Sequence, residues 1–203
     1  MDFEERQNLF KVRKTVLEML EDRKYTIPEN EKINFDDFSI KYKNKNLDIF
    51  IDDLSENNLK NKLYIHFNND KSFKKSDLKT LINKVIETYD DDTIKIIILL
   101  KEKGNGSILK EINKEIYQNI EIFMNKNMIF NITHHEFVPK HIILNEEEIA
   151  ELLDKYSTTL NKLPKMLKTD PVSQYYGMKP NQVCKIIRNS PEVGEYISYR
   201  IVK

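Results

Sequence analysis

The segment Ile94-Lys-Ile-Ile-Ile-Leu-Leu100 decides the fold of the first part of this chain. Its side chains are apolar almost without interruption, which is typical of a β-strand covered on both faces. Alternation of such strands with helices indicates an α/β sheet with helices packed on it. The segment therefore predicts an α/β domain with residues 94–100 at its centre.

The elements around this strand fit the same architecture. An amphipathic helix is expected at the N-terminus, ending near Lys24, with charges on the face opposite its apolar stripe. A second helix should follow Asn34, an N-cap candidate with acids in the next turn. Strands are predicted at 47–51, 63–67 and 120–123, and helices at 76–89 and 107–119, which open with Ser76 and Ser107 as N-caps. The apolar stripe of the first helix consists of Leu9, Val12, Val16, Met19 and Leu20.

The pattern changes near Asn131, and the remainder predicts a small α+β domain. Asn145-Glu-Glu-Glu148 has the form of a capping box, and Leu144 and Ile149 occupy the hydrophobic-staple positions around it. Asp170-Pro171 predicts a short helix that Gly177 ends. Strands at 183–188 and 196–202 form a final hairpin. The interpretation is an α/β domain over residues 1–130 and an α+β domain over residues 131–203.

Composition narrows the function classes. The chain of 203 residues holds 33 basic and 33 acidic residues, and both predicted domains are close to neutral, so neither is a general binder of polyanions. Cys184 is the only cysteine, which excludes a disulfide framework within the chain. No apolar run approaches the ~20 residues of a membrane span. The start Met1-Asp-Phe-Glu-Glu-Arg6 does not have the form of a signal peptide, so the cytosol or nucleus is expected.

Three of the four histidines, His134, His135 and His141, invite a metal-site interpretation. On an extended chain, however, adjacent side chains point to opposite faces, so His134 and His135 would not converge on one ion. No cysteine lies nearby, and Glu136 has no acidic companion. We expect a structural or interface role for the histidines and no metal.

No group of residues in the sequence has a spacing that predicts a catalytic site. The acids near predicted strand ends, with Lys101 and Lys103 flanking Glu102, loosely fit a metal-dependent nuclease, but adjacent residues of a strand do not converge on one ion. No serine or cysteine sits in a strained, glycine-flanked turn. These acids are Asp52, Asp53, Asp90, Asp91, Asp92 and Glu102.

The turn Gly104-Asn-Gly-Ser107 is the candidate phosphate-binding segment. It lacks the spacing and lysine of a nucleotide-binding loop. It nevertheless ends a buried strand and opens a predicted helix, whose free amides can hold a backbone phosphate together with Lys101, Lys103 and Lys110. An ordinary turn is the alternative interpretation.

Several short motifs follow one another in order across residues 131–203. They are His134-His-Glu-Phe-Val-Pro-Lys-His141, Leu163-Pro-Lys-Met166, Asp170-Pro-Val172, Tyr175-Tyr-Gly177, Val183-Cys-Lys-Ile-Ile-Arg188 and Tyr199-Arg200. With these motifs, residues 131–203 resemble the shared fifth subunit of eukaryotic nuclear RNA polymerases and its archaeal counterpart. The N-terminal part is more divergent but has the eukaryotic layout, with Val16-Leu-Glu-Met-Leu-Glu-Asp-Arg-Lys-Tyr25 where the first helix of the family ends.

The resemblance implies a non-catalytic subunit of a multisubunit DNA-directed RNA polymerase, in which the two largest subunits hold the active site and this chain has no cofactor of its own. The C-terminal domain of such proteins anchors to the largest subunit. The N-terminal jaw, which looks like a nuclease fold without the catalytic set, lies beside downstream duplex DNA. The expected interface residues are His134, His135, Val138, Pro139, His141, Tyr175, Tyr176, Arg188 and Arg200. The expected DNA-proximal residues are Lys101, Lys103, Asn105, Ser107 and Lys110, although the Thr-Pro-Ser-Ala pattern of the family is absent there.

The expected partners are therefore the largest subunit, the rest of the polymerase and downstream double-stranded DNA, with general transcription factors as further candidates and no membrane. The location implied is the nucleus for a cellular polymerase, or the virion and cytoplasmic viral factory for a viral one. Two alternatives stay open from the residues alone. These are a free-standing transcription-regulatory module and a metal-dependent nuclease.

Overall fold

A computed structural model of the chain describes residues 3–44, 47–53, 61–70, 72–102, 117–190 and 194–203. The chain divides into two compact units, Met1–Phe130 and Asn131–Lys203. Both contain helices and a four-stranded sheet, so the predicted combination of α/β and α+β architecture is confirmed.

The sheet of the first unit has the order β1-β2-β3-β4. Its strands are β1 (Ile49–Asp53), β2 (Asn61–Asn68), β3 (Lys95–Leu100) and β4 (Ile120–Met124). The first pair is antiparallel, and β2, β3 and β4 are parallel to one another. Residues 96–100 of β3 are all buried between paired neighbours, which confirms the interior strand predicted from its apolar sequence.

One face of this sheet packs against the helix α3 (Lys75–Tyr89). Leu78, Leu81 and Val85 lie one helical turn apart and share a core cluster with alternate residues of β3, including Ile96 and Ile98. Residues three or four positions apart on the helix therefore pack against alternate residues of the strand. This packing orients the helix along the sheet.

The long helix α1 (Phe3–Asp22) is tied to the other face. Ile97 and Leu99 of β3 point to that face, and Glu121 of β4 lies beside Ile97 in the register. Arg23 binds the Glu121 carboxylate with both terminal nitrogens, at 3.1 and 2.8 Å. The predicted apolar stripe of α1 is buried, as expected.

Arg13 of α1 departs from the prediction, because it is buried at 1% exposure although a charge was expected on the solvent face. Its guanidinium donates to the Leu47 carbonyl at 3.2 Å and forms an ion pair with Glu31. Lys41 also binds Glu31, at 3.2 Å, from the helix α2 (Phe35–Lys43). Arg13 therefore links α1, the turn before α2 and the chain that leads into β1. Asn34 caps α2 as predicted, because its side chain accepts from the Asp37 amide at 2.9 Å.

The two helix starts predicted at serines have different outcomes. Ser76 is not the N-cap of α3, which begins at Lys75 after Lys74; the Lys74 amide instead donates to Asp77 at 2.8 Å. The serine lies inside the first turn because Asp77, three residues after Lys74, supplies the capping carboxylate. The predicted helix at 107–119 falls mostly on residues 103–116, which lie outside the described part of the chain.

The sheet of the second unit has the order β5-β7-β8-β6. Its strands are β5 (Lys140–Ile143), β6 (Lys165–Met166), β7 (Val183–Ser190) and β8 (Gly194–Val202). The predicted final hairpin is confirmed, because β7 and β8 pair antiparallel along almost their whole length. The short strands β5 and β6 flank this hairpin, β5 antiparallel to β7 and β6 parallel to β8.

Apolar clusters cover both faces of this sheet at the end where β7 begins and β8 finishes. On one face Cys184 and Val202 pack with Met166 and Met178. On the other face the cluster contains Val183, Ile201 and Leu152. Leu152 belongs to the helix α4 (Glu146–Lys155). Core therefore lies on two sides of one end of the hairpin.

The predicted helix caps of this unit are confirmed. Asn145 and Glu148 form the reciprocal capping box, with two hydrogen bonds of 2.8 Å. Asp170 caps the short helix α5 (Pro171–Tyr175) by accepting from the Val172 amide at 2.9 Å. Gly177 has φ of +60°, and the bonds of its own amide and of the next one close the helix in a Schellman arrangement.

Replacing Arg13 by alanine is expected to destabilise the chain by about 3 kcal/mol, because the Leu47 carbonyl loses its donor and the half-buried Glu31 carboxylate keeps only Lys41 of these two cations. Lys14→Ala removes a mostly exposed cation from the same helix and should change the free energy of unfolding by no more than about 0.5 kcal/mol. Urea unfolding of both variants measures the difference. Equal stabilities would show that Arg13 is not a structural link.

Candidate functional site

An exposed basic face lies on the second sheet, on the same side as the cluster of Cys184 and Val202, and Arg200 lies opposite Cys184 in the register. Arg188 lies directly opposite Tyr196 in the register. Arg188 and Arg200 are exposed, and Tyr196 has 58% of its surface exposed. We call this surface the arginine face. It consists of His141, Arg188, Tyr196, Ser198 and Arg200, which the strand register places on one side of the sheet.

His141 is the half-buried member of the arginine face. Its Nδ1 lies 2.7 Å from the Pro139 carbonyl, so the ring donates there and leaves Nε2 as an acceptor. Burial lowers the pKa of His141 below its usual value, and the charges of Arg188 and Arg200 lower it further. The Pro139 carbonyl and Asp170 act in the opposite direction without reversing the shift. The ring is therefore a neutral hydrogen-bonding group at neutral pH.

The other histidines of the predicted interface lie on a separate turn. The segment Ile132–His134 is a 3₁₀ turn, so the extended geometry assumed for His134 is wrong, whereas His135, which follows the turn, is extended. Both histidines are exposed, and the Nδ1 of His135 accepts the Phe137 amide at 3.2 Å. Val138 and Pro139, which follow this turn, are half-buried.

The two tyrosines of the predicted interface differ in environment. Tyr175 is only 2% exposed, a burial that favours a structural role. Tyr176 is half-buried and packs on the core cluster that contains Cys184. Burial raises the pKa of the Cys184 thiol to about 11, which keeps it protonated at neutral pH. Cys184 is thus a core residue and not a nucleophile.

The predicted DNA-proximal group is described only at its start. Lys101 forms an ion pair with Glu5, and this hydrogen-bonded contact raises the pKa of the lysine. Lys103, Asn105, Ser107 and Lys110 lie outside the described residues. Lys101 therefore has an acidic neighbour within its own unit.

Of the acids considered for a nuclease, Asp91 has local partners in the structure. Asp91 accepts from the Thr93 amide at 2.9 Å and binds Lys62 at 3.3 Å. Asp90 adopts the left-handed conformation that ends α3, with φ of +49°. Within the described ranges no group of three His, Cys, Asp or Glu side chains is arranged to hold a metal ion.

No described helix has both the length and the apolar character needed to cross a bilayer.

Sequence reasoning missed one polar cluster, formed by Asp48, Tyr64 and His66. The Asp48 carboxylate accepts from the Tyr64 hydroxyl at 2.6 Å and from the Phe67 amide at 3.0 Å, and lies 2.9 Å from His66 Nδ1. Burial would raise the pKa of Asp48, but these hydrogen bonds outweigh it and the net shift is downward. The cluster joins the segment before β1 to β2. The alternation of Tyr64 and His66 along β2 was the available signal, although their shared partner was not visible in the sequence.

Comparisons with known proteins agree over both units. Residues 3–85 match the family model described as RNA polymerase Rpb5, N-terminal domain, and residues 130–202 match RNA polymerase Rpb5, C-terminal domain. The chain is 31% identical to "DNA-directed RNA polymerases I, II, and III subunit RPABC1" of Caenorhabditis elegans, covering 98% of this chain and 97% of that protein. It is 30% identical to the protein of that description in Dictyostelium discoideum, with 98% of each chain covered.

The titration of His141 tests the electrostatics of the arginine face. We expect its protonation midpoint below 6.5, and we expect Arg200→Ala to raise it because one of the depressing charges is removed. Because the pKa of His141 is lowered in the folded state, the ring binds protons more readily when the chain is unfolded. The stabilisation that the neutral ring gives the folded state is therefore lost as the pH falls below 6.5. NMR of the imidazole resonances measures both midpoints. A midpoint unaffected by Arg200→Ala would contradict the coupling.

Proposed function

Because the chain belongs to the family of the RNA polymerase subunit Rpb5, we propose that it is a non-catalytic subunit of a multisubunit DNA-directed RNA polymerase. In this proposal the unit 131–203 docks on the largest subunit, and the unit 1–130 is a jaw beside downstream duplex DNA. Bond formation in RNA belongs to the two largest subunits. The nucleus is the location proposed for a cellular polymerase, and the virion or cytoplasmic viral factory for a viral one.

The observation that carries the docking proposal is the arginine face. Arginine and tyrosine are enriched at protein interfaces, where the flat guanidinium and the aromatic ring supply contact area together with hydrogen bonds. Arg188 and Tyr196 form an exposed pair directly opposite each other. Among the described residues, Arg200 has one hydrogen bond, a long one of 3.4 Å to the Lys165 carbonyl. These side chains therefore remain available to a partner, and the core cluster beneath holds the strands that present them.

The charge balance of the N-terminal unit restricts the kind of DNA contact that the unit can make. The N-terminal unit has 23 basic and 24 acidic residues, so it has no excess charge that would hold DNA by itself. A jaw that guides DNA held elsewhere needs only a local contact to phosphate. Lys101, Lys103 and Lys110 are the cations proposed for that contact, and Glu5 partly neutralises the first of them.

Arg200→Ala tests docking through the arginine face. Because Arg200 is exposed, we expect the free energy of unfolding to change by no more than about 0.5 kcal/mol. Affinity for the largest subunit should fall about tenfold or more if the guanidinium is a central contact. Co-purification of the full-length chain with the polymerase provides the measurement.

Lys155→Ala is the matched control, because α4 packs on the opposite face of the sheet through Leu152. It should co-purify like the unchanged chain. The docking proposal fails if a folded Arg200→Ala chain is recovered with the polymerase as well as the control. Loss of folding in Arg200→Ala would instead assign the residue a structural role.

Replacing Lys101, Lys103 and Lys110 together by glutamine tests the contact to downstream DNA. Elongation complexes should lose stability with salt less steeply, by about one unit of slope for each phosphate contact removed. Polymerase assembly should be unaffected. The control replaces three exposed lysines of the α3 region, Lys74, Lys75 and Lys79, and the DNA contact is refuted if both triple variants show the salt dependence of the unchanged chain.

A further inference from the structure

The outer edge of β8 offers backbone groups to another strand. The Val202 amide donates to Gln182 on the β7 side, whereas the amides of Ile201 and Lys203 donate to Pro164 and Met166 on the β6 side. Even-numbered residues of β8 therefore point their N–H and C=O groups to β7, and odd-numbered residues point theirs outward.

The pairing on the outer side stops early for a reason written in the sequence. Strand β6 spans two residues and pairs only with Ile201 and Val202, whereas β8 spans nine. If the parallel ladder continued, the next donor to the Tyr199 carbonyl would be the amide of residue 164. That residue is Pro164, which has no N–H group. The ladder therefore ends there.

Residues 195–199 are left with an open edge. The outward N–H and C=O groups belong to Glu195, Ile197 and Tyr199, and among the described residues no backbone hydrogen bond outside the β7–β8 ladder engages them. Proteins usually protect such edges with lysine, proline or a bulge. Here Ile197, 37% exposed, occupies the middle of the edge. An unprotected edge of this kind is a template for strand addition.

We propose that an extended segment of the largest polymerase subunit pairs with β8 at residues 195–199 as an additional strand. This inference rests on the proposed function, and it specifies how the partner binds. The edge borders the arginine face, so one continuous partner surface can cover both. Main-chain pairing then supplies affinity, and the side chains of the added strand supply specificity.

The charges around the edge define the chemistry of the added strand. Its side chains alternate between the two faces of the sheet. On the arginine face they meet Arg200 and Tyr196, and on the other face they meet Tyr199 and Ile197, with Lys165 beyond. The single acid of the edge, Glu195, lies at its far end. The fitting segment therefore carries acidic side chains toward Arg200 and apolar ones toward Ile197.

Ile197→Pro tests this inference in the full-length chain. It removes an amide that points outward and leaves the hydrogen bonds between β7 and β8 in place. We expect a folded chain whose affinity for the co-expressed largest subunit falls about tenfold, the effect of losing a main-chain hydrogen bond and the fit around it. Ile197→Ala is the matched control, because it shortens the same side chain and keeps the amide. The alanine variant loses part of the apolar contact but keeps the main-chain hydrogen bond, so it should bind several-fold more tightly than Ile197→Pro.

The outcomes separate the inference from the proposed function. If folded Ile197→Pro binds as well as Ile197→Ala, strand addition is wrong and docking through the arginine face stands. If the unchanged chain does not bind the largest subunit, the proposed function fails, and the inference with it. If the unchanged chain instead forms a homodimer that Ile197→Pro disrupts, the edge belongs to a second copy and the inference is overturned.

Amide hydrogen exchange decides the matter should Ile197→Pro not fold. In the unchanged chain bound to the largest subunit, the amides of Glu195, Ile197 and Tyr199 should exchange at least about tenfold more slowly than in the free chain, because each gains an acceptor. Fragmentation of the exchanged peptide to single residues gives the measurement. Equal exchange in the free and bound chain would overturn the inference.

Discussion

The antiparallel ladder between β7 and β8 is the constraint on which the C-terminal unit depends. The burial of the two faces of this hairpin changes along its length. Near Val183 and Ile201 both faces are buried under separate apolar clusters. Toward Arg188 and Tyr196 the same ladder continues without that cover and presents exposed side chains. The main-chain pairing of the ladder therefore holds the exposed end in register with the buried end.

In the N-terminal unit, polar contacts fix the positions of the helices and of the segment before β1 relative to the sheet. Its parallel strands need helices on both faces, and the apolar contacts of α3 and the stripe of α1 supply them. Position along the sheet is set by specific polar groups. Arg13 joins three segments through Glu31 and Leu47, Arg23 fixes the end of α1 to Glu121, and Asp48 attaches the approach to β1. Such buried polar contacts contribute orientation more than net stability.

Local sequence signals predicted much of this fold because their causes are local. The capping box at Asn145, the cap at Asp170 and the glycine stop at Gly177 each require only neighbouring residues, and all three are present. The apolar run of β3 predicted an interior strand because burial on both faces leaves a composition signal. Ser76 was assigned wrongly because two capping candidates lie within one turn, and the carboxylate of Asp77 prevails.

Long-range partners were not predictable in the same way. Burial of Arg13 depends on Glu31, and the Asp48 cluster depends on residues 16 to 19 positions away, which no period reveals. For the candidate site, a period of two along the predicted strand 196–202 is enough to put Tyr196 and Arg200 on one face, whereas their proximity to Arg188 and His141 required the strand register.

The central claim is that the unit 131–203 is the part of the chain that binds the largest polymerase subunit. Lysine cross-linking of purified polymerase, followed by mass spectrometry, tests it most directly. We predict cross-links to the largest subunit from Lys165 and Lys185, which lie on the strands β6 and β7 on either side of β8. Cross-links to that subunit from the N-terminal unit alone, with Lys165 and Lys185 reacting only with water, would contradict it.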